Sequence, residues 1–571
     1  MIVIPETRIR EMKAKGWWGD TTLDDLFLKH VKAHPDAEAL VDPFNAPDFV
    51  GGTAERLTWR QTADAVDRLA AVLHGHGIRK DDVVVIQLPN IAELTIAYLA
   101  CIRLGVIASP APVQYREHEL GYIIGKTDAV AAITADRIGK VMHGEMMVGL
   151  KATCLTLKTV FVLGQTCPPG AEDLERLMDG VTRDQHKATQ KAAKDARVTA
   201  DDIFTICWTS GTEAQPKGVP RSHNEWIIMG DGVVDAADLP QGARLLNPFP
   251  MVNMAGISTA FAGWLILGGV LIQHQPFDLP VLLKQMRDEK IDYTVAPPAV
   301  LNLLLQNEAM LEGIDFKRLK SIGSGSAPLS EWMVRTFHEK YGVQIVNYFG
   351  SNEGASFPSA LKDLPEAADR AALFPRMAEG YRWACKLHDR VFTRLVDPET
   401  EEEIRENGRS GELRVKGATI FSGYWRSPEI NARAFDADGW FRTGDLFELA
   451  GDRQQFIRFV GRLKDIVIRG GMNISSEEIE NHLMAFPAIA EAAVVGAPDP
   501  NLGERLAAFV VFRPGQTATL EQINAFLTGD RHVAVYKQIE RLEVVDALPR
   551  NPVGKILKRD LRQAFSETES A

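Results

Sequence analysis

Thr209-Ser210-Gly211-Thr212-Glu213-Ala214-Gln215-Pro216-Lys217-Gly218 stands directly after the apolar run Ile203-Phe204-Thr205-Ile206-Cys207-Trp208. The run reads as a buried strand, and the loop offers three hydroxyls, two glycines and one lysine within ten residues. Glycine lets backbone N–H groups close on an anion, while hydroxyls and an ammonium add further donors. A loop of this kind suits a polyphosphate and points to a nucleotide-using enzyme. The P-loop NTPase pattern fails here. A Walker A lysine is followed directly by Ser or Thr to hold magnesium, whereas Gly218 and Val219 follow Lys217.

Working outward, strands and helices alternate. Thr58-Trp59-Arg60-Gln61 has capping-box form. Trp59, Ala63, Val66, Leu69, Ala70 and Leu73 then recur at helical spacing, which predicts a helix to about His74. Strands are expected at Asp82 to Gln87, Val106 to Ala108 and Ala129 to Ile133, with a helix from Ile91 to Leu104. The alternation predicts an α/β fold whose large N-terminal domain has mostly parallel sheets covered by helices. Leu245 to Phe277 lacks Asp, Glu, Lys and Arg. Its Ser258, Thr259 and glycines fit a buried helix and strand better than a membrane span. Asp363 to Arg382, charged and alanine-rich, is expected to be a surface helical insertion, and Arg390 to Val396 and Gly411 to Lys416 to be antiparallel strands. The last hundred or so residues read as a unit of their own, with helices at Ser475 to Phe486 and Leu520 to Leu527 and strands at Ala492 to Val495 and Ala507 to Phe512.

A chain of 571 residues is too long for one ordinary core, and its 45% hydrophobic and 25% charged residues are those of a soluble globular protein. A formal net charge of −12 argues against nucleic acid as the partner. Cys101, Cys154, Cys167, Cys207 and Cys385 are scattered, odd in number and without a Cys-x-x-Cys pair. That argues against a disulfide framework and a zinc site, and it fits a reducing, cytoplasmic setting. The ends carry no recognisable signal peptide, peroxisomal or prenylation motif.

Five further segments match what the loop demands. Ser321-Ile322-Gly323-Ser324-Gly325-Ser326-Ala327-Pro328-Leu329 is small and flat, suited to backbone lying against a planar ring, although Pro328 spoils it as a dinucleotide fingerprint. Tyr348-Phe349-Gly350-Ser351-Asn352-Glu353 sets aromatics beside a carboxylate. Phe349 can stack on a base, and Glu353 can hold the magnesium that accompanies ATP. Asp445, in Trp440-Phe441-Arg442-Thr443-Gly444-Asp445, offers an acid for ribose hydroxyls. Gly461-Arg462-Leu463-Lys464-Asp465 concentrates charge ahead of the last unit, and Pro549-Arg550-Asn551-Pro552-Val553-Gly554-Lys555 presents a lysine on a rigid loop.

In order and spacing, these segments resemble the adenylate-forming superfamily of acyl-CoA synthetases, nonribosomal-peptide adenylation domains and luciferases, most like a CoA ligase. The resemblance runs from about residue 50 to 560. It implies an N-terminal AMP-binding domain over 1–462, including a β-barrel-like subdomain, and a small mobile α+β C-terminal domain over 463–571. Thr209, Ser210, Gly211, Thr212 and Lys217 would form the phosphate loop. Gly323, Ser324, Gly325, Ser326, Ala327, Pro328, Tyr348, Phe349, Gly350, Ser351 and Asn352 would frame AMP. Glu353 would be the magnesium ligand, Asp445 with Arg462 would hold the ribose, and Lys464 would be the hinge. Gly470 and Gly471 would border a coenzyme A channel. Catalysis would rest on Lys555, Glu353 and Thr212, with Lys555 bridging acyl carboxylate and α-phosphate. The family loop usually has Thr-Gly where Glu213-Ala214 stands, and Thr where Asn352 stands.

The resemblance places an acyl pocket near His223, Trp226, Asn253, Met254, Ile257 and Gly325. No Asp stands in Met251 to Gly256 to receive an α-amine, which favours a plain carboxylic acid, aromatic, alicyclic or medium-chain, over an amino acid. The implied cofactors are ATP, Mg2+ and coenzyme A. The acceptor is coenzyme A or, as an alternative, a separate carrier protein, since only 16 residues follow Lys555. A homodimer is admissible. A nucleotide-binding relative that has lost catalysis stays open as a different class.

Overall fold

The structure, a computed structural model, describes all residues except 210–214, 326, 379, 471, 500, 532, 552–553 and 569–571. The described chain divides into two compact units. The first holds Met1–Thr209, Pro216–Phe392 and Lys416–Phe435, and the second holds Thr393–Val415 and Asp436–Ala571.

Two sheets organise the first unit. One has seven strands in the order Glu172–Asp173, Thr159–Leu163, Ala131–Ala135, Val83–Gln87, Ile107–Pro110, Ile203–Thr209 and Lys217–Ser222. All its pairs are parallel except the last, where Lys217–Ser222 turns back antiparallel on Ile203–Thr209. The other has eight, in the order Ser356–Ser359, Gln344–Gly350, Ser321–Gly325, Tyr293–Val295, Arg244–Asn247, Val270–Gln273, Glu38–Val41 and Arg56–Thr58. It is parallel throughout except for the antiparallel pair at each edge. Strands covered on both faces read as continuous apolar runs, and Val83–Gln87 is buried at every position.

Between them run helices whose ends the sequence marks. Trp59–Gly75 begins at the predicted capping box, where Thr58 Oγ1 accepts from Gln61 N and Gln61 reaches back to Thr58 N. Its Trp59 stacks on Trp264 at 4.8 Å. The uncharged stretch forms helical turns from Met254 to Leu267 and the strand Val270–Gln273. Among the described residues no helix is long and apolar enough to cross a membrane.

The segment Asp363 to Arg382 departs from expectation. Its helix is confined to Ala367–Ala372, and Arg370 is buried, donating through Nη1 to the carbonyls of Leu364 (2.7 Å) and Pro365 (2.9 Å). One of the charges that suggested a surface, Arg370, is turned inward onto backbone acceptors, whereas Glu366 and Arg382 are exposed.

Ser410–Gly417, Phe441–Ala450 and Phe456–Arg462 pair antiparallel in sequence order. A further sheet runs Met472–Ser475, Ile466–Arg469, Gly503–Phe512 and Ile489–Asp499, with Arg541–Val544 parallel to Gly503–Phe512. Helices Ser476–Met484, Leu520–Ala525 and Lys558–Thr568 accompany it.

Candidate active site

The opening loop springs from a hairpin. Thr209 ends its strand opposite Lys217, and Thr209 Oγ1 accepts from Lys217 N at 3.3 Å. Ser210, Gly211 and Thr212, with Glu213-Ala214, lie outside the described residues. Gly218 is pressed so closely that a Cβ there would meet Ile206 Cγ2 at 2.9 Å. It also accepts from Trp425 N at 2.8 Å, which brings the segment Phe421 to Arg426 beside the loop.

That segment supplies a residue the sequence reading missed. Tyr424 OH donates to Glu353 Oε1 at 2.8 Å, and Lys217 Nζ lies 5.4 Å from the centre of the Tyr424 ring. A cation beside the loop and the carboxylate read as a magnesium ligand therefore share one aromatic support. The backbone fixes the same junction, since Phe421 N donates to the Glu353 carbonyl at 2.9 Å. Gly354 follows with φ +103°, where a Cβ would meet the Thr419 carbonyl at 1.9 Å and Arg221 Nη1 at 2.6 Å. Arg221, a second missed residue, is wholly buried and donates to that carbonyl at 2.7 Å, with its guanidinium over Trp226. Burial pulls its pKa down, against the nearby acids Glu225 and Glu353.

Asn352 has a definite use. Its Nδ2 donates to the Trp208 carbonyl at 3.1 Å, and its Oδ1 accepts from Met254 N at 2.8 Å. One side chain thus links the loop strand, the Glu353 turn and the start of Met254–Gly256. A threonine hydroxyl is too short to hold both. Asn253 caps that helical turn, with Oδ1 accepting from Gly256 N.

The flat segment is shaped by close approach. A Cβ on Gly323 would meet Tyr293 Oη at 2.4 Å, and one on Gly325 the Tyr348 carbonyl at 2.1 Å. Ser324 is buried and donates to the Ala296 carbonyl at 2.8 Å. Ala327 and Pro328 are exposed, and Ser326 lies outside the described residues. Phe349 pairs across the sheet with Phe357, stacked at 5.5 Å. Tyr348 is half-buried beside it, Gly350 is exposed, and Ser351 N donates to the Ala355 carbonyl.

The residues assigned to an acyl pocket divide. His223 is buried, accepts from Leu23 N at Nδ1 and stacks on Phe204. Trp226 donates to Thr205 Oγ1 at 2.9 Å, and Ile257 is fully buried. These three serve the core beneath the helix His223–Ala236, whereas Asn253, Met254 and Gly325 sit at the Asn352 junction or on the flat segment.

In the second unit, Asp445 and Arg462 face each other across an antiparallel pair, with Arg462 Nε 3.3 Å from Asp445 Oδ1. Lys464 follows at once. Burial and Arg462 push its ammonium down to about 8 against Asp465 and Asp445, and Lys555 adds to the lowering. The sequence-distant Lys555 therefore lies within electrostatic reach of Lys464. Lys555 is exposed and braced by Asn551, whose Oδ1 accepts from Lys555 N at 2.9 Å. Gly470 adopts φ +56° beside Arg469, which is held by Glu540 at 2.8 Å. Gly471 lies outside the described residues.

The sequence model of the AMP-binding enzyme family matches residues 27–425, and that of the AMP-binding enzyme C-terminal domain matches residues 478–555. The chain belongs to this family. Over 561 residues this AMP-binding enzyme is 28% identical to the medium-chain fatty-acid–CoA ligase of Escherichia coli (strain K12), spanning 98% of this chain and 93% of the relative. It is 29% identical over 562 residues to the vibriobactin-specific 2,3-dihydroxybenzoate-AMP ligase of Vibrio cholerae, covering 98% of this chain and 97% of that one. Among solved structures, ATP-bound MatB from Rhodopseudomonas palustris matches with a TM-score of 0.77 at 26% identity, covering 96% of this chain and 100% of that chain. The expected superfamily is borne out, and with it an ATP-dependent, adenylate-forming ligase of mixed α/β fold with a smaller C-terminal domain.

Proposed function

We propose that this AMP-binding enzyme activates a carboxylic acid with ATP to an acyl-adenylate, releasing pyrophosphate, and transfers the acyl group to coenzyme A. The observation that carries the reading is the junction of Lys217, Tyr424 and Glu353 beside the loop strand. It supports the reading because a cation and an oriented carboxylate side by side are what a nucleoside triphosphate and its counter-ion would require.

On this reading Thr209, Ser210, Gly211, Thr212 and Lys217 hold the phosphates. The backbone of Gly323 to Pro328 and the Phe349 ring take the base, and Asp445, oriented by Arg462, takes the ribose hydroxyls. Glu353 would hold Mg2+: its carboxylate oxygens suit a hard cation, and the Tyr424 bond fixes one of them. When bound, that ion offsets phosphate charge. The acid's carboxylate must approach an anionic α-phosphate, so the barrier is largely electrostatic. Lys555, braced by Asn551, supplies positive charge to both partners, and pyrophosphate leaves on the side of the loop. Transfer follows by thiol attack on the acyl carbonyl with AMP as leaving group. Lys464 is the pivot between the two steps, and Gly470-Gly471 flank the pantetheine path.

The absence of an acid in Met251 to Gly256 supports a substrate without an α-amine. The names of the Escherichia coli and Vibrio cholerae relatives support an apolar aliphatic or aromatic acid. The test is ATP–pyrophosphate exchange over aromatic, alicyclic and medium-chain acids, followed by acceptor trials with coenzyme A and a phosphopantetheinyl carrier. Exchange with at least one acid and thioester formation on coenzyme A is expected. Product only on the carrier overturns the coenzyme A assignment, and ATP binding without exchange for any acid overturns the enzyme reading.

A further inference from the structure

Away from the loop, the turn after Ser356–Ser359 and the short helical turn Lys386–Asp389 bring together Asp363, Cys385 and His388. One ligand atom from each, a carboxylate oxygen, the Sγ and an imidazole nitrogen, lies within 4.8 Å of the others. The side chains of Asp363 and His388 are 1% and 0% exposed, and Cys385 is fully buried. His388 Nε2 stands 3.2 Å from Asp363 Oδ2 without the alignment of a hydrogen bond, and Nδ1 also lacks a hydrogen-bond partner. Two polar groups at contact distance that do not point at one another have the arrangement of ligands aimed at a shared point. Buried imidazole nitrogens are otherwise hydrogen-bonded.

We propose that Asp363, Cys385 and His388 bind a zinc ion. The donor set selects the metal. A thiolate and an imidazole are borderline-soft ligands suited to Zn2+, whereas Mg2+ takes oxygen donors. Charge selects it too, because a carboxylate, a thiolate and a neutral imidazole cancel a dication inside a buried shell. Binding displaces the thiol proton to solvent and forms Zn–S, Zn–N and Zn–O bonds, leaving a fourth position for water. Outer contacts already orient the ligands. Asp363 Oδ1 accepts from Ala384 N at 2.5 Å and from Cys385 N at 3.3 Å, and the Trp383 ring meets the His388 ring edge-on.

The ion would act as a staple. Leu387, between two ligands, packs so tightly on the helix His223–Ala236 that a Cβ at Gly232 would meet it at 2.8 Å. Lys386 N donates to Asp235 at the end of the same helix, at 3.0 Å. The segment between the ligands also carries Phe374, whose ring meets Phe349 edge-on. The site therefore ties the loop-following helix to the backing of the proposed base platform.

The full chain, grown with zinc and gel-filtered, is expected to retain about one zinc per chain, as a three-ligand site would, and Cys385→Ser and His388→Gln are expected to lose it. Cobalt(II) added to chelator-treated unmutated protein is expected to give tetrahedral visible bands with thiolate charge transfer. Both are expected to persist in Cys167→Ser, which removes the exposed thiol. This spectrum decides the question even where a ligand variant fails to fold. A folded, unmutated chain that retains no zinc and shows an octahedral cobalt spectrum without charge transfer overturns the proposal. So does a charge-transfer band that vanishes in Cys167→Ser and survives in Cys385→Ser.

Discussion

Replacing Tyr424 by Phe removes one hydroxyl and keeps the ring beneath Lys217. That hydroxyl donates to Glu353 Oε1 at 2.8 Å. A hydrogen bond to a charged group contributes about 1.5–3 kcal/mol net. Glu353 is only half-buried, so solvent screening brings the figure to roughly 1–2 kcal/mol. At about 1.4 kcal/mol per factor of ten, the loss is roughly 5–30-fold in any step that needs Glu353 held in this orientation. Tyr424→Leu also removes the cation–π partner of Lys217, a further ~0.5–1 kcal/mol. The two variants therefore separate. In pyrophosphate exchange at saturating acid, Tyr424→Phe should raise the Mg2+ requirement and lower kcat, with the KM for ATP little changed. Tyr424→Leu should add an increase in that KM. A folded Tyr424→Phe indistinguishable from the unmutated enzyme across the Mg2+ titration would refute the orienting role of the hydroxyl.

Asn352→Thr, which installs the residue usual in the family, should lower stability by about 1–3 kcal/mol in urea unfolding because Trp208 O and Met254 N cannot both be served. An unchanged midpoint contradicts the bridging role. Lys555→Ala should cut adenylation by at least ~10²–10³-fold with its melting temperature preserved, and a loss below about tenfold removes it from the charge-stabilising role. His223 gives a pH signature, because burial pushes its imidazole down to about 4 from 6.5. Between those values the unfolded chain binds the extra proton, so this contribution is intact above about pH 6.5 and falls away as pH drops through 4. The full effect is on the order of 3 kcal/mol. Acid unfolding of His223→Gln should show a shallower slope over that interval, and identical slopes would exclude His223 as the source.

What the sequence made legible follows from the range of the interactions. The helix at Trp59 was readable because its capping box and apolar spacing are local, within four residues. The parallel sheets are readable because strands covered on both faces are near-continuous apolar runs, as Val83 to Ile86 is. The burial within the Asp363 to Arg382 stretch is not legible because composition reports charge and not direction, and Arg370 turns its Nη1 onto carbonyls inside the fold. Tyr424 escaped for a different reason. Its partner Glu353 is 71 positions away, and the sequence offers only an aromatic next to Gly423.

Asn352 and Cys385 show how a departure from pattern becomes informative once distances are known. As a missing threonine, Asn352 suggested only a lost hydroxyl. In the fold it joins three segments that would otherwise be tied by backbone alone. Cys385 carries no local metal signal of the usual kind, because Cys-x-x-Cys is absent. The spacing Cys385-x-x-His388 was present, but its third partner, Asp363, comes from the turn after a different strand. Local pattern therefore fixes elements, whereas chemistry assembled across the fold is seen only when the folded chain places its donors around one point.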